Sequence, residues 1–138
     1  MFSKTTEYAL RATFYIAQYG TEDNKLSLSE IARGINSPKS FTAKTLQVLT
    51  AGNRIVSSTR GPNGGFYMTE KSRKLPVRAI LEAMQEDDVL EKCVLGLKQC
   101  SEANPCPMHS RYKAIKLQLK ELFESKTIQS LADQLKKK

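Results

Sequence analysis

The amino-acid sequence predicts a mostly helical fold: a winged helix-turn-helix unit with a β-hairpin wing, followed by a long C-terminal dimerisation helix. Three observations lead to this prediction. Two helix starts follow one another closely after residue 26, the glycine-rich phrase RGPNGG joins two β-prone runs, and a coiled-coil type of apolar spacing appears beyond residue 108. We expect a winged domain over residues 1–84, a cysteine-containing loop over 85–108, and the dimerisation helix with a tail over 109–138.

The first predicted helix covers residues 3–19 and carries apolar residues on two sides. Ala12 and Ile16 belong to one apolar stripe, whereas Phe14 and Ala17 belong to a second. Because a helix that is apolar on two sides is usually buried on two sides, we expect it at the centre of the core.

The helix-turn-helix prediction rests on two adjacent capping signals. Ser27 and Glu30 form the S-x-x-E capping box, and Ser37 with Pro38 suits the N-cap and first position of a second helix ending near residue 51. We expect four side chains of the second helix to face the core: Phe41, Thr45, Val48 and Leu49. The side chains left outside are Lys39, Ser40, Thr42, Ala43, Lys44 and Gln47. Short polar groups followed by cations and an amide are what a major-groove helix needs.

The wing is predicted from two β-prone runs, residues 54–59 and 66–69, joined by a glycine-rich turn. Arg60 stands at the base of this hairpin, where it could reach the negative potential of a minor groove. Asn63 and Gly64 stand at the tip, where a small side chain or none lets the backbone approach phosphates.

The positive charge of the chain is concentrated in the same region. Residues 37–78 contain eight Lys and Arg side chains against the single acid Glu70, and they carry most of the net charge of +8. A solvated surface is the alternative explanation. The coincidence with a helix-turn-helix and a hairpin favours double-stranded DNA as the partner.

The C-terminal part predicts a homodimer. A helix begins near Pro76, and periodicity then disappears until residue 109. From 109 to 123 the apolar residues Tyr112, Ile115, Leu119 and Leu122 follow the spacing of a coiled-coil seam, and a last short helix covers 127–135. Because so long a helix has little of its own chain to pack against, we interpret it as the dimerisation element.

Three cysteines, Cys93, Cys100 and Cys106, form a C-x6-C-x5-C pattern, with His109 three residues further on. Soft sulfur donors in one irregular loop favour an iron–sulfur cluster or zinc. The open alternatives are a zinc-stabilised protein, a metal-free thiol sensor and three unrelated core cysteines. No nucleophile elbow, phosphate loop or acid pair occurs in the sequence, so we expect a regulator rather than an enzyme. The N-terminus lacks the apolar run of a signal peptide, and we expect a cytoplasmic protein with no membrane partner.

The sequence resembles the IscR/NsrR-type (Rrf-two) family of bacterial winged-helix transcription regulators along nearly its whole length. The resemblance is carried by SKTTEYALRATFYIA, by the segment from LSLSEIARG to TRGPNGGFYM, and by the three cysteines before the last long helix. It implies a homodimeric repressor or activator that binds a palindromic promoter site, with a cluster whose state tunes DNA binding.

Site residues follow from the resemblance one by one. Cys93, Cys100 and Cys106 match the cluster cysteines, and His109 matches the histidine that completes a 2Fe–2S site in the IscR branch, which favours 2Fe–2S over 4Fe–4S. Glu7 matches the acidic ligand of the nitric-oxide-sensing branch. Ser40, Lys44 and Gln47 match the recognition-helix face, with Lys44 in place of the glutamine of the IscR branch, and Arg60 matches the minor-groove arginine. The first cysteine gap is one residue longer than in the best-known branches.

Overall fold

The computed structural model describes residues 2–93, 95 and 103–136 of the chain. The helices are α1 (Lys4–Tyr19), α2 (Leu28–Gly34), α3 (Lys39–Leu49), α4 (Glu70–Arg73), α5 (Arg78–Ala83), α6 (His109–Ser125) and α7 (Ile128–Lys136). Short 3₁₀ turns cover Ala51–Asn53 and Asp87–Leu90, and one antiparallel hairpin pairs β1 (Ser57–Thr59) with β2 (Gly65–Tyr67). Every helix in the described ranges is too short or too polar to span a lipid bilayer.

Helix α1 is the centre of the core, as its two apolar stripes predicted. It contacts α2 and α3 on one side and α7 on another. Ala9, Ala12 and Ile16 are completely buried. Thr13 is also buried, and its hydroxyl donates to the Ala9 carbonyl at 2.7 Å, so that no polar group is left without a partner there.

The two helix starts of the helix-turn-helix are confirmed with one shift. Ser27 and Glu30 form the full capping box, each side chain bonding the other's backbone N–H at 3.1 Å. Helix α3 starts at Lys39 with Pro38 as its N-cap, one residue later than the Ser37 cap we expected.

The prediction of which α3 side chains face the core is partly wrong. Phe41 and Val48 are 47% and 41% exposed, whereas Thr42 and Leu46 are buried together with Thr45 and Leu49. The buried side chains follow the i, i+3, i+4, i+7 spacing of one helical face. Thr42 can belong to that face because its hydroxyl lies 2.9 Å from the Pro38 carbonyl oxygen, which satisfies it locally. Its predicted place on the outer, DNA-facing side is therefore wrong.

The hairpin is shorter than its two sequence runs because their inner ends enter the core. Ile55 and Val56 are buried just before β1, and Met68 is buried just after β2. Leu26 adds a bridge to the hairpin: its N–H donates to the Phe66 carbonyl at 2.8 Å and its carbonyl accepts from Phe66 at 2.7 Å. At Gly65, whose φ is 152°, a Cβ would lie 2.7 Å from the Leu26 carbonyl oxygen, so this close approach requires glycine.

Helix α7 packs in the core of the winged domain rather than forming a tail beyond the dimerisation helix. Ile128 and Ala132 are completely buried, and the Ile128 N–H donates to the Leu75 carbonyl at 2.9 Å. The buried Arg73 in α4 joins α7 to the end of α1. Its guanidinium donates to the Gly20 carbonyl at 2.7 Å and to the Gln129 side chain at 2.6 Å. The chain therefore returns to α1 after α6.

Glu86 caps the start of α1 from a distant part of the chain. Its carboxylate accepts hydrogen bonds from the Ser3 hydroxyl, the Thr6 hydroxyl and the Ser3 N–H. The hydrogen bond from the Ser3 side chain, followed by that from Thr6, holds the pKa of Glu86 below its usual range. The ionised form is therefore the one that the folded state favours.

We expect Glu86→Gln to lower the free energy of unfolding at neutral pH by less than about 1 kcal/mol, because Glu86 is only half-buried and solvent screens its charge. A carboxylate with a lowered folded-state pKa stabilises above its unfolded pKa and loses this effect as pH falls through the folded value. The difference between wild type and variant should therefore shrink below about pH 4, where the wild-type carboxylate also becomes neutral. Urea unfolding of both proteins at pH 7 and pH 3 measures this stability difference. A difference that grew at low pH would contradict the stabilising role of the Glu86 carboxylate.

Candidate DNA-binding surface and cysteine centre

The outer face of α3 presents the predicted major-groove residues. Lys39, Ser40, Lys44 and Gln47 are all exposed, and Thr42 is the exception described above. Lys44 and Gln47 are three residues apart and therefore neighbours on the helix surface. They offer an ammonium and an amide, two groups that bond to base edges or to phosphates.

A groove runs between α3 and the wing, and it brings Gln47 and Arg60 to one place. Its walls are the α3 side chains Ala43, Leu46 and Gln47, with Leu28, Thr50, Ser58, Thr59, Arg60 and Phe66. Gln47 and Arg60 therefore line one groove on the surface that we expect to face DNA.

The wing tip is a tight turn that only glycines can close. Gly61 has a φ of 103° and accepts a hydrogen bond from the Gly64 N–H at 2.9 Å. A Cβ on Gly64 would lie 2.3 Å from the Thr59 carbonyl oxygen. Arg60 and Asn63 are exposed on either side of Gly61, so both predicted contacts are accessible from the tip.

Two of the three cysteines lie together. The Cys93 and Cys106 sulfurs are 3.5 Å apart, and both side chains are half-buried. This separation exceeds the S–S bond of about 2.0 Å. It is close to the roughly 3.8 Å expected between two thiolates on one tetrahedral metal with bonds of about 2.3 Å. The pair therefore fits a shared soft metal, while the predicted ligand Cys100 lies outside the described residues.

The two candidates for a fourth ligand occupy different helices. His109 begins α6, and its backbone N–H donates to the Cys106 carbonyl at 3.0 Å. The Nε2 atom of its imidazole ring is buried. Glu7 lies in the first turn of α1, where its carboxylate is 3.7 Å from the Lys4 ammonium. Within the described residues, no three His, Cys, Asp or Glu side chains are gathered closely enough to hold a metal. The complete ligand set therefore stays a prediction.

An ion-pair network joins the start of the cysteine loop to α5 and α6, which sequence reasoning missed. Arg78 on α5 pairs with Glu124 on α6 and lies 3.4 Å from the Glu91 carboxylate, which in turn is 2.9 Å from Lys120 on α6. The hydrogen bond from Lys120 holds the pKa of Glu91 below its usual range. Glu91 stands two residues before Cys93, so the network lies next to this cysteine along the chain.

Helix α6 carries an apolar stripe on the side away from this network. Ile115 and Leu122 on α6 and Met108, the residue that caps its start, are 51%, 49% and 47% exposed at intervals of seven residues. Tyr112 and Leu119, the other members of the predicted seam, are half-buried. A stripe of this period is typical of a helix that pairs with another helix.

Comparison with known proteins identifies the family. The sequence model of the Rrf2 family, described as iron-dependent transcriptional regulators, matches residues 2–134. The chain belongs to the Rrf2 family. This Rrf2 chain is 33% identical over 133 residues to a protein of Aquifex aeolicus that is named as an HTH-type transcriptional regulator, covering 95% of the chain and 90% of that protein. It is 23% identical to the regulator IscR of Yersinia pestis, covering 91% of the chain and 75% of IscR.

Solved structures confirm the winged fold of the Rrf2 chain. CymR, the global cysteine regulator of B. subtilis, superposes with a TM-score of 0.77 at 21% identity, and 96% of each chain is covered. T. potens IscR superposes with a TM-score of 0.70 at 23% identity, covering 96% of this chain and 87% of IscR. The predicted family resemblance and fold class are thus confirmed. The Aquifex and Yersinia relatives are named as transcriptional regulators, in agreement with the predicted regulatory function.

Proposed function

We propose that this Rrf2 protein is a homodimeric regulator that binds palindromic double-stranded DNA with an affinity tuned by an iron–sulfur cluster. The observation that carries the proposal is the 3.5 Å approach of the Cys93 and Cys106 sulfurs next to the start of α6. Cys100 and His109 would complete the site, and the histidine favours the 2Fe–2S type. Such a cluster supplies a centre whose presence or redox state changes with iron, oxygen or nitric oxide.

The DNA side of the proposal rests on exposure and charge. The α3 residues Lys44 and Gln47 and the wing residue Arg60 are all exposed around one groove. We assign α3 to the major groove, with Arg60, Asn63 and Gly64 at the adjacent minor groove. A second copy related by a two-fold axis presents the same surface to the other half-site, which makes the preferred DNA palindromic.

Coupling between the two sites is assigned to the ion-pair network. Glu91 moves with Cys93, because only Lys92 separates them, and it holds Arg78 on α5 and Lys120 on α6. A cluster bound at Cys93 would therefore fix α5 against α6, and through α6 it would fix the spacing of the two recognition helices.

Arg78→Ala is expected to uncouple the two sites. The variant should still acquire iron and bind DNA, but the ratio of DNA affinities with and without the cluster should move towards one. Couplings of this kind are worth about 5- to 150-fold. Fluorescence anisotropy with both forms of each protein measures the ratio. Lys92→Ala is the matched control, since it removes only a local pair with Asp88 at 2.7 Å, and it should keep the wild-type ratio. An Arg78→Ala ratio equal to wild type would exclude the network as the connection.

A metal-free thiol switch is the second candidate, because the same two sulfurs lie close enough to move into a disulfide. Among the structural neighbours, CymR of Staphylococcus aureus was solved in an oxidised form, with a TM-score of 0.69 at 16% identity. In this reaction the two thiols would give two protons and two electrons to a peroxide, forming one disulfide and two waters.

One experiment separates the candidates. Protein purified without oxygen is analysed for iron, sulfide and zinc, and its visible spectrum is recorded. Iron and sulfide in near-equal amounts with charge-transfer absorption would support the cluster. Zinc alone would support a structural metal, and a metal-free protein that gains a Cys93–Cys106 disulfide with peroxide would support the thiol switch.

A further inference from the structure

One flank of α3 exposes a large aromatic side chain that the sequence pattern assigned to the core. Phe41 is 47% exposed, and Val48, seven residues later on the same flank, is 41% exposed. The opposite flank, with Ala43 and Gln47, faces the wing groove. We propose that Phe41 is a specificity-determining residue that reads the C5-methyl group of thymine, with Tyr8 as its positioning residue. This inference rests on the proposed DNA-binding function and adds the base that the flank selects.

The position of Phe41 places its ring at the same DNA surface as the polar contacts. It directly follows Ser40 and precedes Lys44 by three residues, so the Phe41 and Lys44 side chains are neighbours on the helix. When α3 lies in a major groove with Lys44 towards the base edges, the ring of Phe41 points to the side of the groove away from the wing.

The ring is held in place by α1. Its centroid is 6.1 Å from that of the half-buried Tyr8, with the planes tilted by 50°. Tyr8 is in turn covered by the Arg11 guanidinium at 5.4 Å from its ring centroid. Phe has only two side-chain torsions, and packing against Tyr8 limits them further, so little conformational entropy is lost when the ring meets DNA.

The chemistry of the ring selects the target. A phenyl group offers no hydrogen-bond donor or acceptor, so a phosphate or a polar base edge gives it no directed contact. In the major groove only thymine presents a methyl group, and apolar side chains contact it there. Burial of one such group is worth about fourfold in affinity.

The test begins with duplexes enriched by the full-length wild-type protein from a randomised library. In the best duplex, each thymine is replaced singly by uracil, which removes only the methyl group. We expect one position in each half-site, the two being related by the symmetry of the duplex, where uracil lowers wild-type affinity about fourfold. Phe41→Ala should show the same loss on the thymine duplex and no further loss on the uracil duplex. Phe41→Leu, which keeps an apolar contact, should retain part of the discrimination.

The controls separate a base contact from a structural role. Phe41→Ala should leave the salt dependence of binding unchanged, because an uncharged ring makes no charge-neutralising phosphate contact, and thermal unfolding checks that the variant keeps its fold. Val48→Ala, on the same flank but two helical turns beyond Phe41, should keep the uracil effect at the Phe41 position. Equal uracil sensitivity in wild type and Phe41→Ala at every position would overturn the inference while leaving DNA binding intact. If no duplex is enriched at all, the proposed function fails and the inference fails with it.

Discussion

A Cys106→Ser variant purified without oxygen is expected to hold no iron–sulfur cluster, and its DNA affinity should be the same before and after treatment with iron and sulfide. Serine removes one of the two sulfurs that lie 3.5 Å apart. Its hydroxyl is a hard, weakly acidic donor that neither matches iron in softness nor neutralises its charge at neutral pH. Iron and sulfide analysis and the visible spectrum measure the loss of the cluster, and anisotropy with a selected duplex measures the DNA affinity.

The same loss is expected for Cys93→Ser, whereas the fourth ligand should matter less. His109→Ala is expected to leave a labile cluster with an altered spectrum, because His109 lies three residues beyond Cys106, at the start of α6, and an imidazole is a weaker ligand than a thiolate. Glu7→Ala serves as the control and should keep the wild-type spectrum. Wild-type amounts of iron and sulfide in Cys106→Ser would remove this cysteine from the ligand set, and a spectral change in Glu7→Ala alone would assign the fourth ligand to α1.

Local signals explain why the helix-turn-helix and the wing could be predicted from the sequence. The Ser27–Glu30 capping box and the glycines of the wing tip act within a few residues, and the structure contains both. The rotation of α3 was less predictable, because threonine is equally suited to a surface and to a helix interior. The hydrogen bond from the Thr42 hydroxyl to the Pro38 carbonyl allows Thr42 to be buried, and this bond depends on where the helix starts.

Non-local contacts explain what the sequence did not reveal. The partners of Arg78 lie up to 46 residues away along the chain, and no short pattern marks them. Burial of Arg73 against the end of α1 and against α7 has the same character, since its acceptors become available only after the chain has folded back. The cysteines were found by their spacing in the sequence. The approach of Cys93 to Cys106, and the ion pair between Arg78 and the nearby Glu91, were seen only in the three-dimensional structure.

The apolar stripe of α6 leads to the second large effect, on assembly. Ile115→Glu is expected to convert the proposed dimer into monomers. In a two-fold interface the same patch is used by both subunits, so the substitution would bury a charge twice. An unpaired buried charge costs about 3 kcal/mol or more, which weakens dimerisation at least about 100-fold. Ile115 is 51% exposed in the single chain, so the fold of the monomer should change little. Sedimentation velocity measures the assembly, and thermal unfolding checks the fold.

Leu117→Glu is the matched control for this experiment. Leu117 is 58% exposed on the same helix, and two residues correspond to about 200° of rotation, so its side chain lies on the face opposite Ile115. This variant should remain a dimer. DNA binding should follow assembly, because the second half-site is bound at the high effective concentration that the dimer provides. Ile115→Glu should therefore lower the affinity for a palindromic duplex about 100-fold or more, but should change the affinity for a single half-site little. If Ile115→Glu sediments as a dimer, or if both variants dissociate equally, the Met108–Ile115–Leu122 stripe is not the interface, and the symmetry of the DNA site must arise from another surface.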